Sequence, residues 1–300
     1  MTGSAAQPFM LMLAFATAWV LLEEVVGARL QAHYPLLQIV WCRYAAHLVI
    51  LLVLFGWREP VRLWRTRRPV FQLTRSLLML VMPLSFALSL GAGLDGAVVW
   101  ALFWCVAPLL MLAGARWWLG EAVPALAWVA AAAGGMAALL LFSPAPPQAV
   151  TRLVLPLVMA LSFAAYVLMT RGLRFEDVRA NLFYTAFGVF AVLTPFMPSM
   201  WVAPGAHDAL VLMAIGAVGL LSLLALDRAA ALGPLGLSTP ALTAHLLALI
   251  AVGWALDGHA PTRRAAVGGL MLIGVLWYFW RRHASAVAGA PPQAVEEGTR

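Results

Sequence analysis

The sequence predicts an all-α polytopic membrane protein: ten transmembrane helices arranged as two inverted five-helix repeats. Three observations predict it. Of its 300 residues 64% are hydrophobic and 10% charged, against about 45–50% and about 25% in soluble domains, and mean hydropathy is +0.92. The apolar residues fall into ten runs, each near the ~20 residues that a spanning helix needs. Arginine crowds alternate connections between those runs, the asymmetry that orients helical membrane proteins. These features exclude a soluble enzyme, a disordered chain, a disulfide scaffold and an outer-membrane barrel, whose strands alternate with period two.

The first run, about 8–28, follows MTGSAAQ, which has no basic residue; it is expected to stay as an anchor rather than be cleaved as a signal. The second, about 35–56, carries Arg43 and His47, and the third, about 70–91, carries Arg75. The fourth, about 96–115, sets Trp100, Trp104 and Pro108 on one helical stripe. The fifth, about 123–142, has Ala130, Gly134 and Ala138 in a small-residue stripe, and the tenth, about 264–280, has Ala265 and Gly269. Such stripes let helices approach closely, so spans five and ten are expected to pack there. The sixth to ninth runs are about 153–170, 181–200, 208–226 and 235–254. Residues 1–145 then form the first repeat and 150–282 the second, which is inverted because five is odd. The tail, 283–300, is small and polar and is expected to be disordered and cytoplasmic.

With the N-terminus inside, cytoplasmic connections hold thirteen arginines and outer ones four. Both termini are therefore expected in the cytoplasm. The formal charge of +7 comes from 19 basic and 12 acidic residues, every basic one an Arg. Without lysine, Schiff-base and phosphate-loop lysine chemistry are excluded. The arginines lie in short connections rather than in one patch, so no nucleic-acid partner is expected. Cys42 and Cys105 fall inside apolar runs and cannot build a zinc cage; no metal and no cofactor is expected. The partners implied are the lipid bilayer and a small polar metabolite, with a monomer or weak homodimer as the assembly.

A charge at mid-bilayer costs roughly 2.5–3.5 kcal/mol on insertion scales, so each one retained is a functional candidate. Glu23 and Glu24 are candidates for a proton-coupling carboxylate or an amine ligand; alternatively they form a solvated interfacial pair with Arg29. Arg43, about 12 Å deep by helix rise, cannot deprotonate and must be paired or reach water. It reads as a substrate-carboxylate anchor or as an ion pair with Glu23 or Glu24. His47, at i+4 on the same face, is a candidate substrate contact or a helix-to-helix hydrogen bond. Arg75 reads as an anion contact or as an arginine snorkelling to the headgroups. Trp104 is a candidate cavity wall, with Pro108 as a hinge that frees a carbonyl. Tyr166 and Tyr184 are candidate substrate contacts or helix-to-helix hydrogen bonds. His245 is a candidate proton carrier.

Ten short spans in 300 residues, with Trp41-Cys42-Arg43 in span two, Thr74-Arg75-Ser76 near the start of span three, Ala107-Pro108 in span four and Leu119-Gly120-Glu121 before span five, resemble the drug/metabolite transporter superfamily, EamA type, over about residues 8–282. The resemblance implies a bacterial inner-membrane carrier of small polar metabolites, often an exporter. It implies substrates such as amino acids, S-adenosylmethionine, riboflavin or opine-type metallophores. Gly258-His259 departs from the Gly-Glu pattern.

The expectation is a secondary transporter, not an enzyme, that exports a zwitterionic or carboxylate-bearing metabolite such as an amino acid or opine-type metallophore by alternating access. Import of a polar metabolite such as S-adenosylmethionine or riboflavin is the alternative. An intramembrane enzyme would need a nucleophile or base cluster at one face; Glu59, Glu121, Glu176, Asp177 and Asp227 make no tight pattern in sequence.

Overall fold

Hydrocarbon offers a backbone no hydrogen-bond partner, so an apolar chain must satisfy its peptide groups internally, and helices do so within one segment. The computed structural model describes residues 6–22, 28–145, 150–258 and 260–288, and there is no strand among them. Glu23 and Glu24 lie outside the described residues, as does most of the expected tail.

Eleven helices of eight residues or more lie among the described residues: α1 (Ala6–Val20), α2 (Leu36–Leu51), α3 (Pro69–Gly91), α4 (Gly96–Trp117), α5 (Ala125–Phe142), α6 (Val154–Gly172), α7 (Val178–Leu193), α8 (Ala206–Leu232), α9 (Leu235–Leu242), α10 (Ala244–Asp257) and α11 (Arg263–Ala288). Local sequence explains several starts. Pro69 occupies the first turn of α3, where a missing N–H costs nothing. Asp95 and Asp177 cap α4 and α7 by accepting from the amides of Ala97 and Arg179, each at 2.9 Å.

Eight helical stretches are long and apolar enough to cross a membrane, including α2 with its continuation to Gly56 and α9 with α10 as one span. The described part of α1 is shorter, at 15 residues.

Three boundaries differ from the sequence expectation. The ninth run is one span interrupted at Thr243. Pro240 inside α9 has no N–H to donate, and its own carbonyl accepts from both the amide of Thr243, at 3.2 Å, and its hydroxyl, at 2.8 Å. The eighth run ends not near 226 but at Leu232, so Asp227 and Arg228 belong to a helix rather than a connection. A charged pair reads as a helix end until a partner for it is found, and Asp227 has one, described below. The tenth helix continues to Ala288, past the expected start of the tail.

Helix α1 packs against α8, α9 and α10; α6 packs against α3 and α4; α2 packs on α7 and α8, and α3 on α7. Helix α5 packs on α4 and α11; spans five and ten meet as expected, but not through the predicted stripes, since Gly134 faces Thr243, Gly269 faces Leu247 and Ile250, and it is Gly268 that meets Ala137 of α5. Two glycines decide close approaches. A Cβ on Gly188 of α7 would collide with Ser76 of α3, and one on Gly219 of α8 would stand 2.7 Å from Nε of Arg43. The largest core cluster centres on Trp19, whose ring meets those of Phe15, Trp100, Phe103, Trp104 and Phe163 at 5.2–6.3 Å.

Candidate functional site

A cavity of about 260 Å³ lies among α1, α2, α3, α4, α6 and α8. Its wall is apolar and largely aromatic, with Phe15, Trp19, Phe86, Trp100 and Phe163, and it is softened by Met79, Met82 and Met159. Polar groups are few: Gln31 at one end, then Arg43, Tyr44 and Ser222. This is the composition of a small-molecule site, mostly hydrophobic with sparse polar groups that set orientation.

Arg43 is the charged side chain in that lining. It is only partly buried, its guanidinium lies 5.5 Å from the ring centre of Tyr44, and its buried Nε has no hydrogen-bond partner among the described residues. No described acid pairs with it. A guanidinium cannot shed its charge, so Arg43, lining the cavity without an acid beside it among the described residues, is suited to a carboxylate. His47, fully buried, stands next to it, and Gly219 leaves room for the guanidinium and the imidazole.

About one turn beyond the lining residues of α3, α6 and α8 lies a buried polar cluster. Arg75, 1% exposed, holds its guanidinium 5.2 Å from the Tyr166 ring centre. Nη1 donates to the hydroxyl of Thr170 at 3.0 Å; Nη2 donates to Oε1 of Gln72 at 3.0 Å and to the backbone oxygen of Asn181 at 2.5 Å. Gln72 in turn donates to Oδ1 of Asn181 at 2.6 Å, and Asn181 donates to Oδ1 of Asp227 at 3.0 Å. Asp227 stands 4.0 Å from Nη1 of Arg75. Arg75 is therefore neither snorkelling nor part of the cavity lining.

Further ties at this end join α1–α5 and their connections to the later helices. Glu121 accepts from Nε of Arg171 at 2.6 Å and from the amide of Leu235, the first residue of α9, at 2.7 Å. Arg171 also donates to the oxygens of Ala230 and Ala231 at the end of α8. Glu59 pairs with Arg179, and the amide of Arg67 donates to Glu176 at 3.3 Å. The opposite end, near Gln31, has lighter ties: Tyr34 donates to Asp208 at 2.7 Å, Gln38 exchanges bonds with the backbone of Val202, and Trp41 donates to Thr194. The Asp208 carboxylate that accepts from Tyr34 holds the phenol above its ordinary value.

Of the residues predicted from sequence, the structure sets Arg43 in the cavity with His47 beside it. Trp104 lies behind the wall, fully buried, 5.8 Å from Trp19 and 4.8 Å from the ring of His245. His245 is buried, with Nδ1 3.2 Å from the oxygen of Ala16. Tyr166 supports Arg75. Tyr184 lies away from the cavity and donates to the backbone oxygen of Trp64. Helix α4 runs through Pro108 without interruption. Sequence reasoning passed over Trp19, Phe163, Pro83 and Ser222 as cavity residues, and Gln72 and Thr170 as partners of Arg75. Only Pro83, in the middle of an apolar run, carried a visible signal.

No family model and no curated protein matches the chain. Twenty-four solved chains match it in fold. One, known only as "Crystal structure of protein", is 16% identical over 92% of this chain and 98% of that chain, with a TM-score of 0.73. At that identity the likeness speaks for the fold alone.

Proposed function

We propose that this protein is a secondary transporter of the drug/metabolite transporter superfamily, EamA type, with ten spans in a bacterial inner membrane. It exports a small carboxylate-bearing or zwitterionic metabolite by alternating access. The observation that carries this reading is the cavity: it lies between early and late helices and is lined by Arg43, which pairs with no acid among the described residues. Beyond one end of it stand the buried pair of Arg75 and Asp227 and the half-buried pair of Arg171 and Glu121.

The helix pairing supports two inverted repeats, residues 1–145 and 150–282. If α9 and α10 count as one span, exchanging each helix of the first five for the one five further on maps the α1–α8 packing onto that of α6 on α3. It likewise maps α2–α8 onto α7–α3, and α1 with the ninth span onto α6–α4. Such symmetry gives two gates related by the same exchange. The excess of arginine in the connections at the ion-paired end supports a cytoplasmic location for that end. The conformation is then outward-facing, with both termini inside.

The carboxylate preference follows from Arg43, which would repel a cation and which grips a carboxylate through paired donors. The test is to delete the gene and to measure metabolites inside and outside the cells by mass spectrometry, with wild type or Arg43→Ala restored. Build-up of one carboxylate-bearing metabolite inside, relieved by wild type alone, is the expected result. Depletion inside would make the protein an importer. No change in any compartment would overturn the transporter reading.

A further inference from the structure

We propose that Asp227 is the proton-binding site of this transporter, and that its protonation opens the ion-paired end of the cavity. The proposal rests on the alternating-access reading above and assigns it a coupling ion.

Asp227 is the buried carboxylate among the described residues. It sits at one end of a hydrogen-bonded chain in which every donor points toward it. Arg75 donates to Gln72, Gln72 to Asn181, and Asn181 to Asp227. A chain strung from a cation to an anion through two amides is polarised along its length, and each bond strengthens the next. It also crosses between early and late helices, since Arg75 and Gln72 lie on α3, Asn181 on α7 and Asp227 on α8.

The contact with Arg75 is long, at 4.0 Å, because the guanidinium gives its short bonds to the neutral oxygens of Thr170, Gln72 and Asn181. Asp227 thus balances Arg75 by charge more than by direct hydrogen bonding. A proton from water at that end, bound to a carboxylate oxygen as O–H, cancels the charge at the chain's terminus. Arg75 stays charged, now buried without a counter-charge, a condition that favours separation of the helices and entry of water.

The other charges near Asp227 do not substitute for it. Helix α7 contributes Asp177 at its cap, and Arg228 follows in sequence. Helix α6 contributes Arg171, which Glu121 engages. Helix α2 meets α8 through Arg43 and His47 two turns away, at Gly219. The described part of α1 and the whole of α9 bring no ionisable side chain. His47 is the competing titratable group in the interior of α2, and the experiment separates the two.

The experiment places a reporter thiol in the seal. Ser76→Cys in a Cys42→Ser, Cys105→Ser background sits beside Arg75, fully buried against Gly188 of α7. Its alkylation by a soluble maleimide is measured in purified protein from mildly alkaline to mildly acidic pH, normalised to the same thiol in denatured protein. If the open state prefers the proton by one pKa unit, labelling rises about tenfold on acidification. In Asp227→Asn it should be fast at every pH. A second measurement needs no variant of the site: infrared titration of protein labelled with ¹³C-aspartate should show a protonated aspartic acid appearing with the same midpoint as the labelling. Labelling that is indifferent to pH overturns the proposal. So does a pH response that survives Asp227→Asn, which would point to His47, or an aspartate band absent over the labelling transition. Neither measurement uses a substrate. A seal that opens with Asp227 while no metabolite moves in cells would leave the proton-controlled opening standing and remove the transport reading.

Discussion

Replacing Glu121 tests how much of the closed end depends on one side chain. Its carboxylate accepts from Arg171 at 2.6 Å and from the free amide at the start of α9 at 2.7 Å, with the two side chains 10% and 12% exposed. Bonds to a charged group contribute about 1.5–3 kcal/mol each. Breaking a buried pair by deleting one partner costs about 3–5 kcal/mol. Glu121→Ala loses both bonds and leaves the Arg171 guanidinium held only by the oxygens of Ala230 and Ala231, so about 3–4 kcal/mol is expected by the same reasoning. Glu121→Gln keeps one acceptor for the Leu235 amide and should lose about half of that. The pair itself is isolated by a double-mutant cycle with Arg171→Ala, read from denaturant unfolding in mixed micelles. A coupling of about 2–3 kcal/mol that changes little with added salt is expected, because a pair this enclosed is weakly screened. A coupling below about 0.5 kcal/mol, as for an exposed surface pair, would refute the reasoning and show that this contact does not hold α9 to the early helices.

Two further outcomes are expected. Gly219→Ala puts a methyl 2.7 Å from Nε of Arg43 and 2.9 Å from Nε2 of His47; overpacking of this kind costs about 1–3 kcal/mol and should both lower the unfolding midpoint and impair metabolite release, whereas Gly253→Ala, where a Cβ meets nothing within 4 Å, should do neither. The Tyr34 phenol, held above its ordinary value by Asp208, should titrate lower in Asp208→Asn when followed by ultraviolet absorbance. Its contribution to stability is present below the ordinary phenol value and is lost as pH rises through the raised native one.

The apolar runs foretold most helix positions to within a few residues, because a span is a local property of length and hydropathy. Arg43 was legible as a candidate because a cation inside an apolar run must be explained wherever it points. The aromatic wall was not legible. Trp19 and Phe163 are two of many aromatic residues in apolar runs, and nothing in the sequence distinguishes one facing a cavity from one facing a neighbour or lipid. Asp227 was misread as a connection residue for a related reason: its partner Arg75 lies 152 positions away and its other contact, Asn181, lies on a third helix. Tyr184 and Tyr166 looked equivalent by composition. One bonds a connecting segment and the other supports a buried guanidinium.

The sequence by itself determined that this chain is a bundle of apolar helices with charges it could not leave unexplained, since hydrophobic length and the cost of a buried charge are properties of a segment and need no neighbours. The tertiary structure decided which of those charges face a cavity and which are locked together at one end. That choice depends on helix rotation and on approach distances set by single glycines such as Gly188 and Gly219, and so on contacts between residues far apart in the chain.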